Sequence, residues 1–211
     1  MVQRSIPATK IGILDYGMGN LRSVFNAFKS INFTPVFVKR AIDFEGLSHL
    51  IIPGVGAFPS AMKNIREAKL ELEIIKFAES GKPLLGICLG MQLLATIGYE
   101  METCNGLNLI EGVVKKIDST ERIPHVGWNS INLTNEHFLF DGIKKDVDFY
   151  FVHSYYFEPS KNENLLATCE YGKKIPVIVF KNNIIGIQFH PEKSQKNGLK
   201  ILENFANYKA L

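Results

Sequence analysis

"GKPLLGICLGMQLL" spans residues 81–94. Its first half, "PLLGIC" (83–88), is an apolar run of strand length. "GMQLLATI" (90–97) behind it reads as a helix. Cys88 stands at the join, between Gly86 and Gly90. G-x-C-x-G at a strand-to-helix turn is the thiol counterpart of the G-x-S-x-G nucleophile elbow. The reason is steric: a nucleophile must project from a sharp, strained bend, and neighbouring side chains would clash there. A helix N-terminus and a nearby imidazole can raise the thiolate fraction, which for a free thiol at neutral pH is only about 3%. On the pentapeptide alone two readings stand: a nucleophile, or an inert buried thiol.

Upstream, the elements alternate. "KIGILDYG" (10–17) reads as a buried strand, "NLRSVFNAFKSI" (20–31) as an amphipathic helix and "TPVFVK" (34–39) as a second strand. "LSHLIIPGVGAF" (47–58) is a third strand broken by Pro53 and two glycines, followed by helical pattern over 60–80 with Gly81 as its C-cap. Strand and helix in alternation predict a mostly parallel α/β sheet, with ligands bound at the strand C-termini. After residue 105 come short β-rich runs that either extend the sheet or form a second one. "NGLKILENFANY" (197–208) reads as a closing helix. One domain over residues 1–211 is expected, with residues 1–9 as a frayed lead-in.

With 211 residues, 46% of them hydrophobic, there is ample material for a core. The net charge of +3 carries no basic block that would suggest nucleic acid. No stretch has the apolar length of a membrane helix, and the N-terminus lacks a signal-peptide core. Three cysteines at irregular spacing suggest a reducing, cytoplasmic setting rather than a disulfide framework. No metal-ligand spacing occurs, and no cofactor is expected.

Two further stretches bear on Cys88. In "GIQFHPEKS" (186–194), His190 follows an apolar run and Glu192 stands two residues on. A cysteine nucleophile needs a base, and the base an orienting carboxylate. "HPE" alone reads as a surface histidine beside a surface glutamate. In "IIPGVGAF" (51–58), a Pro-Gly-Val-Gly loop leaves backbone N–H groups bare for a developing oxyanion. Alone it is an ordinary tight turn.

Together these stretches resemble the class I (triad) glutamine amidotransferases. "LDYGMGNLRSV" (14–24), "PHVGWN" (124–129) and "FYFVHSYY" (149–156) stand with them in the family's order, and "DYGMGN", "PGVG" and "PHVGWN" narrow the resemblance to that family's HisH-type glutaminase subunits. The resemblance runs from about Lys10 to Tyr208 and implies a flavodoxin-like α/β fold with an added β-rich C-terminal half. It implies Cys88 as nucleophile, His190 as base and acid, and Glu192 as orienting group. The oxyanion hole would use the Leu89 N–H and one from Gly54, Val55 or Gly56. Gln92 and Glu100 would hold the polar ends of glutamine, and His153, Ser154 and Tyr155 would line the site. "ATIGYE" departs from the acidic run usual around Glu100. The family further implies a separate HisF-type (β/α)8-barrel cyclase as partner, with Gly17, Met18, Gly19, Asn20, Trp128 and Lys193 at the interface. A core position for Trp128 is the competing reading.

The alternatives keep much of this. A paralogue could feed ammonia to another synthase, such as one that amidates a surface sugar. A Cys-His peptidase on a similar fold, or a regulatory chain with a relict site, fits the motif set less well. Cys104 and Cys169 read as ordinary thiols. His49, His125 and His137 read as structural or exposed, and Lys115 and Lys116 as a solvated strand face.

Overall fold

A computed structural model describes residues 9–144 and 147–209. All but residue 9 of the expected lead-in lies outside the described residues. In chain order the elements begin with β1 (Ile11–Leu14), α1 (Leu21–Ser30), β2 (Val36–Val38), β3 (His49–Gly54), α2 (Phe58–Glu67), α3 (Glu71–Glu79), β4 (Leu84–Cys88) and α4 (Leu89–Leu93). Short strands follow: β5 (Ile97–Gly98), β6 (Cys104–Asn105), β7 (Gly112–Lys116), β8 (His125–Ser130), β9 (Asn132–Leu133), β10 (Asp148–His153) and β11 (Tyr155–Pro159). The chain closes with β12 (Leu165–Glu170), β13 (Lys174–Lys181), β14 (Ile184–Ile187) and α5 (Gln195–Asn207).

The central sheet runs β2-β1-β3-β4-β14-β13-β12-β9. Its first five strands are mutually parallel and the rest antiparallel. Both expectations for the C-terminal half hold at once: β14, β13, β12 and β9 extend the main sheet, while β11-β7-β5-β6 and β10-β8 form two further sheets. Apart from the edge strand β2, the parallel strands are buried throughout and do not alternate, because both faces are covered. Leu50, Ile52 and Leu84 pack with α2 and α3 through Phe58, Met62, Ile65 and Ile74. Ile51, Leu85 and Ile87 point the other way, into a core shared with Val24 and Phe28 of α1 and Ile201, Leu202 and Phe205 of α5.

Two expectations change. The helical pattern over 60–80 is two helices. Lys69 adopts φ 56°, the Lys69 N–H bonds to Arg66 O and the Leu70 N–H to Ile65 O, a Schellman closure with lysine where glycine is usual. The expected helix over 90–97 ends at Leu93, and Ile97–Gly98 is a strand. The carbonyls of Leu93, Leu94 and Ala95 are taken by N–H groups of residues 107–110, so the helical ladder cannot continue.

Candidate active site

Parallel register assembles the site. Gly54, the last residue of β3, stands opposite Cys88, the last of β4. On the other flank Ile187 pairs with Ile87, so β14 also ends beside Cys88, and His190 follows three residues later. Strand ends about a hundred residues apart in sequence thus meet at one sheet edge, as expected for an α/β sheet.

The elbow at Cys88 is strained. Its backbone lies at φ 55°, ψ −110°, a conformation that costs a non-glycine residue about 1–3 kcal/mol. The flanking glycines are steric necessities. A Cβ at Gly90 would stand 1.7 Å from the Ile52 carbonyl oxygen, and one at Gly86 would stand 2.5 Å from the Gly90 carbonyl oxygen. Leu89 opens α4, so its N–H has no acceptor within the helix. With only five residues in α4, local N–H groups rather than an extended dipole supply positive potential here.

His190 is clamped from several sides. Its backbone N–H bonds to Tyr150 O on β10 at 2.9 Å. The Ser194 hydroxyl donates to His190 O at 2.7 Å and accepts from the Tyr150 N–H at 3.0 Å. The ring Nδ1 lies 2.9 Å from Glu192 Oε1, and the Glu192 side chain is 1% exposed. Burial works against an imidazolium, but the nearby Cys88 sulfur and the hydrogen-bonded, charged Glu192 outweigh it, and His190 is pushed up to about 10.

Behind the sulfur lies a polar chain. Gln188, fully buried, directs Nε2 at Cys88 Sγ at 3.7 Å and accepts from Gln92 Nε2 at 3.0 Å. Gln92 Nε2 also donates to Tyr155 O at 3.0 Å. The same carbonyl lies 2.9 Å from His153 Nδ1, and His153 Nε2 lies 3.0 Å from His125 Nδ1. A carbonyl only accepts, so His153 carries its proton on Nδ1 and His125 donates to its Nε2. Burial pushes both rings down to about 4, and they are neutral at pH 7.

Cys88, Leu89, Gln92, Glu100, His153, Ser154, Tyr155, His190 and Lys193 line one cavity of about 350 Å3 with Val55 and Gly56. Glu100 is fixed by the Phe58 N–H at the start of α2, 2.8 Å from Oε2. A cavity of about 390 Å3 opens beside β9, lined among others by Leu133 and Phe140. It contains none of the motif residues, so chemistry rather than volume selects the site.

The "GMGN" residues lie against the Pro-Gly-Val-Gly loop. A Cβ on Gly19 would touch Pro53 at 3.5 Å, and one on Gly56 would meet Met18 Cε at 2.6 Å. Trp128 is 48% exposed, which excludes the core reading. It meets Tyr150 edge-on at 5.8 Å, and Lys193 Nζ lies 5.8 Å from the Tyr150 ring. Val126 and Val152, paired across β8 and β10, are exposed on the same face. His49 and His125 are buried and hydrogen-bonded, and Cys169 is buried. Sequence reasoning missed Gln188 and Ser194. Their signal was a polar residue at each end of "QFHPEKS", where the strand end and the turn leave no water to satisfy it.

Chemically, the arrangement can deliver a sulfur nucleophile, a proton donor and bare N–H groups to one carbonyl, as acyl transfer requires. The family profile described as glutamine amidotransferase class-I matches residues 12–208, and the chain belongs to that family. It is 45% identical over 195 residues to imidazole glycerol phosphate synthase subunit HisH of Caldanaerobacter subterraneus subsp. tengcongensis, covering 92% of this chain and 96% of that protein. Identity to the subunit of the same name from Bacillus mycoides (strain KBAB4) is also 45%, with coverage of 92% and 93%. Among solved structures, a crystal structure of a glutamine amidotransferase superposes with a TM-score of 0.73 at 25% identity, covering 92% of this chain and 98% of that one.

Proposed function

We propose that the chain is the glutaminase subunit of an imidazole glycerol phosphate synthase. It hydrolyses glutamine to glutamate and ammonia through a thioester on Cys88. The observation that carries this reading is the elbow cysteine beside a histidine whose Nδ1 is held by a buried glutamate.

The Cys88 thiolate attacks the side-chain amide carbon of glutamine. Negative charge moves onto the amide oxygen, which the Leu89 N–H and one N–H of the Gly54–Val55–Gly56 loop receive. The His190 imidazolium gives its proton to the nitrogen, the C–N bond breaks and ammonia leaves. His190 then takes a proton from water, which attacks the γ-glutamyl thioester, and the C–S bond breaks to give glutamate. Glu192 keeps the ring in one tautomer and stabilises its charged form. Gln92 and Glu100 fix the amino-acid end of the substrate, with His153, Ser154 and Tyr155 as the wall.

Ammonia passes to a HisF-type (β/α)8-barrel cyclase, which makes imidazole glycerol phosphate and AICAR in cytoplasmic histidine biosynthesis. The subunit names of the relatives support this partner. So does the exposed Val126, Trp128 and Val152 face beside the cavity mouth, with Lys193 at its rim, because aromatic anchors are enriched at interfaces. The Pro-Gly-Val-Gly loop completes the oxyanion hole only when the partner holds its own substrate. A glutaminase assay with and without a co-purified barrel subunit and its nucleotide substrate tests the reading. Slow hydrolysis by the chain alone and faster hydrolysis by the loaded complex is the expected result. Rapid turnover without any partner contradicts the coupling, and failure to rescue a histidine auxotroph contradicts the pathway.

A further inference from the structure

Tyr16 stands two residues after β1, 4% exposed, and its hydroxyl donates to the Pro53 carbonyl oxygen at 2.8 Å. Pro53 has no N–H, so that carbonyl is the one backbone hydrogen-bonding group the residue offers. Three loop residues follow it, two of them glycines with little conformational restraint of their own. The hydroxyl fills the space under the first glycine: a Cβ on Gly54 would lie 2.6 Å from Tyr16 Oη. Gly54 is in turn the register partner of Cys88. Tyr16 is itself held, since its carbonyl accepts from Asn64 Nδ2 on α2 at 3.1 Å. Burial, then the charge at Cys88, raises its pKa, so the hydroxyl stays a donor throughout the working pH range.

We propose that Tyr16 is a positioning residue for the oxyanion loop. Its O–H pins the Pro53 carbonyl and so sets the direction of the N–H groups over Gly54–Gly56. The ring packs in the core on one face of the sheet, and phenylalanine would serve that purpose equally. The hydroxyl is needed for the single bond to Pro53. This inference rests on the proposed reading of Cys88 and the 54–56 loop.

The test compares Y16F and C88A in the full chain bound to its barrel subunit with that subunit's nucleotide substrate present, the state in which the proposed oxyanion hole is complete. Oxyanion contacts strengthen only as charge develops, so Y16F is expected to lower kcat for glutamine by about tenfold and to leave KM within about twofold. Glutamate γ-semialdehyde gives a readout that needs no turnover. The Cys88 sulfur adds to its carbonyl carbon and the thiol proton ends on the oxygen, forming a hemithioacetal whose oxygen occupies the oxyanion position. Its affinity should weaken by about the same factor. A residue with only a packing role would change the melting temperature and leave kcat and aldehyde affinity at wild-type values, and that result overturns the proposal. Y16M, which also lacks the hydroxyl, carries the same expectation if Y16F folds poorly. If C88A keeps its glutaminase activity, the underlying reading falls and this proposal with it. If C88A is inactive and Y16F behaves as wild type, only the role of Tyr16 falls.

Discussion

His49 and His190 stand at opposite ends of the parallel sheet, one opening β3 and the other following β14. Each is 3% exposed, so burial does not distinguish them. Their partners do. His49 lies between the Ser48 hydroxyl at 2.9 Å and the Tyr208 carbonyl at 2.8 Å, with Phe205 edge-on at 5.3 Å. Burial lowers its pKa and the ring is kept neutral. His190 lies between a sulfur and a carboxylate and is pushed up to about 10 despite its burial. One histidine ties the C-terminal segment to a strand, while the other moves a proton in the proposed mechanism. The lesson is that a buried histidine becomes chemically useful when its partners can carry negative charge.

The largest effects should separate the two. H190N is expected to lower kcat by about 10³-fold or more, since it removes both general base and general acid. Comparable loss in H49N would break the comparison. E192Q keeps an acceptor for Nδ1 but removes the charge, and a loss of about 10²-fold or more in kcat is expected. Its alkaline limb of the pH–rate profile should move down from about 10, and an unmoved limb would mean that Glu192 does not set the charge of His190.

Stability against pH sharpens the contrast. His190 is raised in the fold, so its contribution is present in full below the ordinary histidine value of 6.5 and is lost as pH rises through about 10. His125 and His153 are lowered to about 4, so stability is lost as pH falls from 6.5 towards 4. Melting temperature measured across this range should show both limbs, and H190N should flatten only the alkaline one. The smallest effect belongs to H49N. It should cost about 1 kcal/mol, roughly 2–4 °C of melting temperature in a chain of this size, with kcat within about twofold.

Much of this was legible in the sequence because β3 and β4 read as strand-length apolar runs that end at Gly54 and Cys88. The alternation with α1 and α2 then placed Gly54 and Cys88 at one edge, while the β-rich half after residue 105 left the strand before His190 unassigned. The ends of α2 and α4 were not legible. Lys69 takes a left-handed conformation with no glycine to mark it. Residues 90–95 are buried on every side, so their periodicity cannot show where the helix ends. Within the site, Cys88 and His190 stood out as candidates from their motifs. The Gln188–Gln92–Tyr155–His153–His125 chain did not, because it joins residues from three strands, a helix and the turn after β14 through contacts no local spacing encodes.

The most direct measurement is mass spectrometry of the chain quenched during turnover of glutamine. The account predicts a γ-glutamyl adduct on the peptide containing Cys88, accumulating in the wild type and absent from C88A, with glutaminase activity lost in parallel. Hydrolysis of glutamine by C88A at the wild-type rate, with no adduct on Cys88 in either protein, would contradict it.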